Sequence, residues 1–302
     1  MPAKKNFSSQ PMSFFSQRVS QWFSGLMGTM ILCLVLLGIF IACVYAAWHK
    51  IGSRVLASPE YFIGPRQIEI TPPPPWLHRT NLPAEVYRDL TRHGPASIMD
   101  DDLIERVAAA CLLQPWVAKV RQVAKQYPAK VKVDLVYRRP VCMVKLGDQL
   151  LPVDAEAVLL PVDDFSPVEK AKYPRLLGVD RGPMGGAGRR WGDIRVAGGA
   201  EIAAALLPIW EKLNLQSIVP HLPPETANSG ALPPGTARRA VDYYYDVIAA
   251  GGMRIIWGRS PASNITGEST SQEKVKKLER FFAELGSLDY PQAPRELDLR
   301  KP

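Results

Sequence analysis

From Val19 to Trp48 the chain carries no charged side chain at all. The centre of that run, Leu26–Trp48, is 23 residues long. As a helix it extends ~34 Å at about 1.5 Å per residue, enough to cross a hydrocarbon core of ~30 Å with a little tilt. Trp22, Tyr45 and Trp48 fall where the aromatic belts of a spanning helix are expected. A cleaved signal peptide has an apolar region of only ~7–15 residues. The length and late start of the run therefore disfavour cleavage after Val44-Tyr45-Ala46, and equally a lipoprotein reading of Phe40-Ile41-Ala42-Cys43. The expectation is a cytoplasmic tail over 1–25, a transmembrane helix over 26–48 and a stalk over 49–61. Lys50 and Arg54 follow the helix as Arg18 precedes it, so charge alone leaves orientation open. Long domains translocate largely regardless of such charges, which puts the bulk of the chain outside the inner (cytoplasmic) membrane.

The net charge of +8 is concentrated at this flank. Residues 1–54 hold Lys4, Lys5, Arg18, Lys50 and Arg54 and no acid, leaving 32 basic and 29 acidic side chains elsewhere. A nucleic-acid binder would concentrate basic residues on one face, so no nucleic-acid partner is expected. Apolar residues make up 47 %, enough for real cores in the remainder. Cys33 and Cys43 lie in the apolar run, where they act as small hydrophobes. Cys111 and Cys142 are too far apart in sequence for a metal-ligand pair, and read as buried thiols unless their separation in space permits a disulfide.

Beyond the stalk, Phe62–Thr71 offers a strand with Ile68 and Ile70 on one face, ended by Pro72–Pro75, which reads as a stiff spacer. A short helix is expected over Pro83–Arg92. Asp100, Asp101 and Asp102 precede a second helix running to about Gln114, and Asp102 and Glu105 have capping-box spacing. In that helix Leu103, Val107 and Cys111 form one row and Ile104, Ala108 and Leu112 the next, predicting a broad buried face. Within Leu113–Pro161 a β-rich run through Val117, Val120 and Val123 ends at Tyr127-Pro128. Val131, Val133, Leu135 and Tyr137 then alternate with Lys132, Asp134 and Val136, which marks a strand with one face on a core. Val141–Leu146 and Leu150–Val153 read as a hairpin around Gly147-Asp148, followed by a strand at Val158–Leu160. Arg181–Arg190 is glycine-rich, lacks the strand and helix of a nucleotide-binding turn, and reads as a flexible loop. A helix is expected over Ala197–Leu213, an insertion over Pro220–Arg239, and strands at Val241–Ile248 and Met253–Gly258. Thr270–Gly286 reads as a helix with a Thr270/Glu273 capping box and a closing glycine.

The wording of the hairpin carries a resemblance. Pro115-Trp116-Val117, Tyr127-Pro128, Val133-Asp134-Leu135, Arg139-Pro140 and Val153-Asp154-Ala155-Glu156 resemble the FtsQ/DivIB cell-division proteins. Tyr173–Gly178, the strand-like MRIIWG ending in Gly258, and Arg295–Arg300 extend the likeness along most of the chain. The sequence departs from that pattern at Arg138, where an acid is usual, and at Ala157 in the turn that follows Glu156. The resemblance implies an α+β chain: a POTRA-like domain over 62–140 (strand, helices, two strands), then a mixed antiparallel β-domain with flanking helices over 141–302. It also implies a scaffold whose last strand, Arg295, Glu296, Leu297, Asp298, Leu299 and Arg300, binds small single-span division proteins of the FtsB and FtsL kind at the septum.

No catalytic constellation is legible: G-x-S-x-G, H-E-x-x-H and a Walker loop are all missing from the sequence. Ser271 and Lys274 fit S-x-x-K without its partner motifs, and His49, His78, His93 and His221 read as solvated residues of loops and the membrane flank. Neither an enzyme, a cofactor, a metal nor a small-molecule substrate is expected. The competing reading is a POTRA-bearing component of an envelope-assembly or protein-secretion system.

Overall fold

The computed structural model describes residues 26–56, 58–77, 79–92, 94–222, 243–263, 267–288 and 293–300. The expected tail, most of the insertion, His78 and His93 lie outside them. The chain forms two units, 1–62 and 63–302.

In the first unit, helix α1 (Leu26–Leu56) is 31 residues long and continues through His49 and Lys50 rather than ending at Trp48. Among the described residues it is the one helix long and apolar enough to cross a membrane. Large apolar side chains along it, among them Leu34, Leu36, Phe40 and Ile41, stand exposed.

The second unit opens with a three-stranded sheet. Strand β1 (Ile68–Ile70) is shorter than expected because Pro65–Gln67 makes a 3-10 turn ahead of it. Helices α2 (Leu82–Leu90) and α3 (Leu103–Leu112) follow, then strands β2 (Val117–Gln126) and β3 (Lys130–Tyr137). The order is β1-β3-β2: β1 runs parallel to β3, and β2 pairs antiparallel with it from Val117↔Tyr137 to Gln126↔Lys130. The alternation read in the sequence holds, since Val131, Val133 and Leu135 are buried between exposed or half-buried neighbours. Leu82, Val86 and Leu90 of α2 and Leu103, Val107 and Cys111 of α3 are buried as well.

Two expectations about α3 need correction. Asp102 has a helical backbone and makes no capping bond. Asp100 instead accepts from the Ser97 amide (3.0 Å) and from Arg106 (3.3 Å), because the turn begins earlier. The second apolar row is not buried: Ile104 is 42 % and Leu112 57 % exposed.

The larger sheet has seven strands. Strands β4 (Pro140–Leu146) and β5 (Gln149–Asp154) form the expected hairpin. A short helix α4 (Pro167–Lys172) leads into the two-residue β6 (Arg175–Leu176), parallel to both β4 and β7 (Leu215–His221). Strands β8 (Tyr244–Ala249) and β9 (Arg254–Gly258) continue antiparallel, and β10 (Glu296–Asp298) lies parallel to β9. Helix α5 (Ile194–Leu206) starts and stops earlier than predicted, because the Asp193 carboxylate accepts from the Arg195 amide (2.8 Å) and caps it. Helix α6 (Ser271–Leu285) is as predicted, with the reciprocal Thr270/Glu273 box and Gly286 left-handed at its end. Val196, Ala200, Ala203 and Leu278 from these helices share one core with Val144, Leu176, Ile218, Val247, Ile255 and Trp257 from the sheet.

Pro220 and His221 belong to β7 rather than to an insertion, paired with Tyr245 and Tyr244. The glycine-rich run is also tied down: the Gly188 amide donates to Leu159 (2.8 Å) and the Trp191 amide to Ala157 (2.8 Å). Val158–Leu160 is accordingly held by single bridges rather than as a full strand.

The small sheet ends at Tyr137 and the large one begins at Pro140. A second apolar cluster spans that junction, built from Leu77, Trp116, Met143, Leu160 and Phe165 with Trp76 and Tyr173 against it. The proline run delivers Trp76 and Leu77 into this cluster, and the Trp76 indole donates to the Arg138 carbonyl (3.1 Å). Beneath it the buried Asp164 carboxylate accepts from the Trp116 indole (2.6 Å) and the Thr80 hydroxyl (2.9 Å).

Candidate partner-binding edge

The last strand closes one end of the seven-stranded sheet and, among the described residues, has a neighbouring strand on one side only. Its register sets Glu296 opposite Arg254, Leu297 opposite Ile255 and Asp298 opposite Ile256. The Arg254 amide donates to the Arg295 carbonyl (2.9 Å) and the Leu299 amide to the Ile256 carbonyl (3.0 Å). Alternate residues of a parallel strand bond to one neighbour, so Glu296, between these contacts, directs its amide and carbonyl away from β9.

The six residues singled out in the sequence divide by burial. Arg295 and Glu296 are exposed, Leu297, Asp298 and Arg300 are half-buried, and Leu299 is fully buried in the main core. Leu299 is thus an anchor in the core, while Glu296 and Leu297 keep surface exposed to solvent. The chain then turns inward, where the Ser269 amide donates to the Arg300 carbonyl (3.1 Å). The Asp298 carboxylate accepts from the Arg300 amide (2.9 Å) and guanidinium (2.7 Å), which holds that guanidinium above its ordinary pKa.

Gly258 makes this turn feasible. Its φ of 90° suits glycine, and a Cβ there would come 2.8 Å from Arg300 Cγ and collide with the Glu268 carboxylate. The strand-ending glycine of MRIIWG therefore has a steric reason that its motif alone did not state.

Electrostatically the edge is fixed by carboxylate–guanidinium contacts. Asp246 Oδ2 accepts from Arg254 at 2.8 and 2.7 Å, and Arg254 also reaches Glu296 (3.4 Å). His221 Nδ1 lies 3.6 Å from the same carboxylate oxygen, so this histidine sits on the sheet and not in a loop. Sequence reading missed this cluster because its members come from β7, β8, β9 and β10, with no local spacing to mark them.

Beside the edge, Lys274 is buried, with Nζ 2.6 Å from Glu268 Oε1 and 5.2 Å from the centroid of the Trp257 ring. Burial pulls its ammonium below the ordinary lysine pKa while the Glu268 carboxylate opposes that shift. The S-x-x-K lysine is therefore committed to an ion pair. Among the described residues no group of three or more His, Cys, Asp and Glu side chains is arranged to hold a metal. Cys111 and Cys142 are both free and buried.

No protein-family model matches the chain. No curated protein matches it. The class defined by the fold is thus a mixed α+β chain with one N-terminal apolar helix and two β-sheets, the larger of which ends at β10.

Proposed function

We propose that this chain is a non-enzymatic, single-span scaffold of the bacterial cell-division complex, similar to the FtsQ/DivIB proteins. Helix α1 anchors it in the cytoplasmic membrane with the amino terminus inside, and residues 63–302 work on the outer side. The POTRA-like domain is the β1-α2-α3-β2-β3 unit, whose order of strand, two helices and two strands matches what the resemblance leads one to expect. The observation that carries the reading is the place of β10 at the end of the seven-stranded sheet, where, among the described residues, it pairs with β9 alone and the Glu296 backbone is turned away from β9. An unpaired sheet edge accepts a strand from a partner through main-chain hydrogen bonds. The partners are small single-span division proteins, and the scaffold positions them around septal wall synthesis.

A POTRA-like unit also fits an envelope-assembly or secretion component, and the same experiment separates the two. A photoreactive residue replaces Glu296 or Leu297 in the full chain in its own membrane; buried Leu299 is unsuitable. The proposal expects adducts with two small single-span membrane proteins. Adducts with a β-barrel or a secretion channel, or none at all, overturn it.

A further inference from the structure

Helix α3 turns an apolar row outward. Leu103, Val107, Ala110 and Cys111 occupy its inner arc and are buried. Ile104, Ala108 and Leu112, each four residues apart, follow one another along the adjoining arc, where the two large side chains are 42 % and 57 % exposed. Leu113 at the helix end is 65 % exposed and Met99 just before the helix 46 %. Ala109 is exposed too, leaving Glu105 as the sole charge among the outward residues Ile104, Glu105, Ala108, Ala109, Leu112 and Leu113. A solvated helix of a globular protein keeps its polar residues on that side. Single exposed hydrophobics are ordinary, but Met99, Ile104, Leu112 and Leu113 gathered along one helix, with half-buried Ala108 between, mark a contact surface.

The shape and charge of the row select the occupant. Ile104 and Leu112 stand two turns apart with small Ala108 between them, which leaves a shallow seat for the ridge of a second helix. Asp101 and Glu105 are exposed at the amino end of the row, while Asp102 is shared with Arg106 at 3.8 Å. A partner that buries the row must bring positive charge to those acids. A lipid surface rich in anionic headgroups would be repelled there.

We infer that the outer face of α3 is a second docking surface, distinct from the β10 edge, for one amphipathic helix of another protein that bears Lys or Arg beside its apolar row. This inference does not depend on the division reading.

The test places a photoreactive residue at Leu112 in the full chain in its own membrane and maps the cross-linked peptide. The expected adduct lies in a different protein, on a segment with apolar residues four apart and Lys or Arg beside them. Reversing both acids, Asp101→Lys with Glu105→Lys, lowers its yield about fivefold or more. Since both side chains are exposed, thermal unfolding of the double variant reports that the fold is intact. An adduct with a second copy of this chain, with lipid or with nothing, or a yield unchanged by charge reversal, overturns the inference.

Discussion

Asp154 is 1 % exposed, and its carboxylate accepts from Arg138 (2.6 Å) and from the Val158 and Glu156 amides (2.8 and 3.1 Å). It ties β5 to the start of the large sheet and holds the turn in which Ala157 takes a φ of 56°. Asp154→Ala would leave a largely buried guanidinium unpaired and two amides without an acceptor. Breaking such a pair costs about 3–5 kcal/mol, so chemical unfolding of the variant should show a midpoint lowered accordingly. Asp154 stood out in the wording of the sequence, but its pairing with Arg138 did not, because 16 residues of separation follow no helix or strand period. The thiols were more legible. Burial pushes Cys111 up to about 12 and raises Cys142 as well. At pH 8 the Cys111 thiolate is then about one part in 10⁴, so neither thiol should react with iodoacetamide in the folded protein lacking Cys33 and Cys43. Raising the pH to 9 should not expose them, whereas denaturant should release both.

At the scale of elements, the most legible pieces carried their own punctuation. Helix α6 has a capping box at one end and a left-handed glycine at the other, and the sequence located both. Strand β3 alternates strictly and was equally plain. Strand β7 was hidden: a bulge between Leu215 and Ser217 breaks its alternation, and Pro220 suggests a loop. What makes it a strand is long-range pairing with β6 and β8, which no local pattern records. The outward row of α3 failed for the opposite reason, since an apolar row has the same periodicity whether the protein or a partner covers it. Helix α5 can sit close on the sheet because Gly199 offers no side chain: a Cβ there would come 2.5 Å from Leu176 Cδ1. Gly199→Ala should overpack this interface and destabilise the protein by about 1–3 kcal/mol, read as a fall in the thermal midpoint. The exposed Gly186, with nothing within 4 Å of its Cβ position, should tolerate alanine.

For the molecule as a whole, the apolar run of α1 was readable from composition and single helices and strands from period, while the α+β arrangement was implied by the resemblance. The arrangement at the junction was not. Its apolar cluster gathers residues from Trp76 to Tyr173, so it becomes visible only once both sheets exist. At this scale the proposal is of a membrane-anchored scaffold that holds its partners at the terminal strand. The most direct test is fluorescence imaging of the full chain, labelled at its amino terminus, in the cells that produce it. The account predicts a band at midcell that forms as the septum does and weakens in Glu296→Pro, which removes the outward amide and leaves the core anchor Leu299 in place. Uniform membrane fluorescence throughout the division cycle would contradict it.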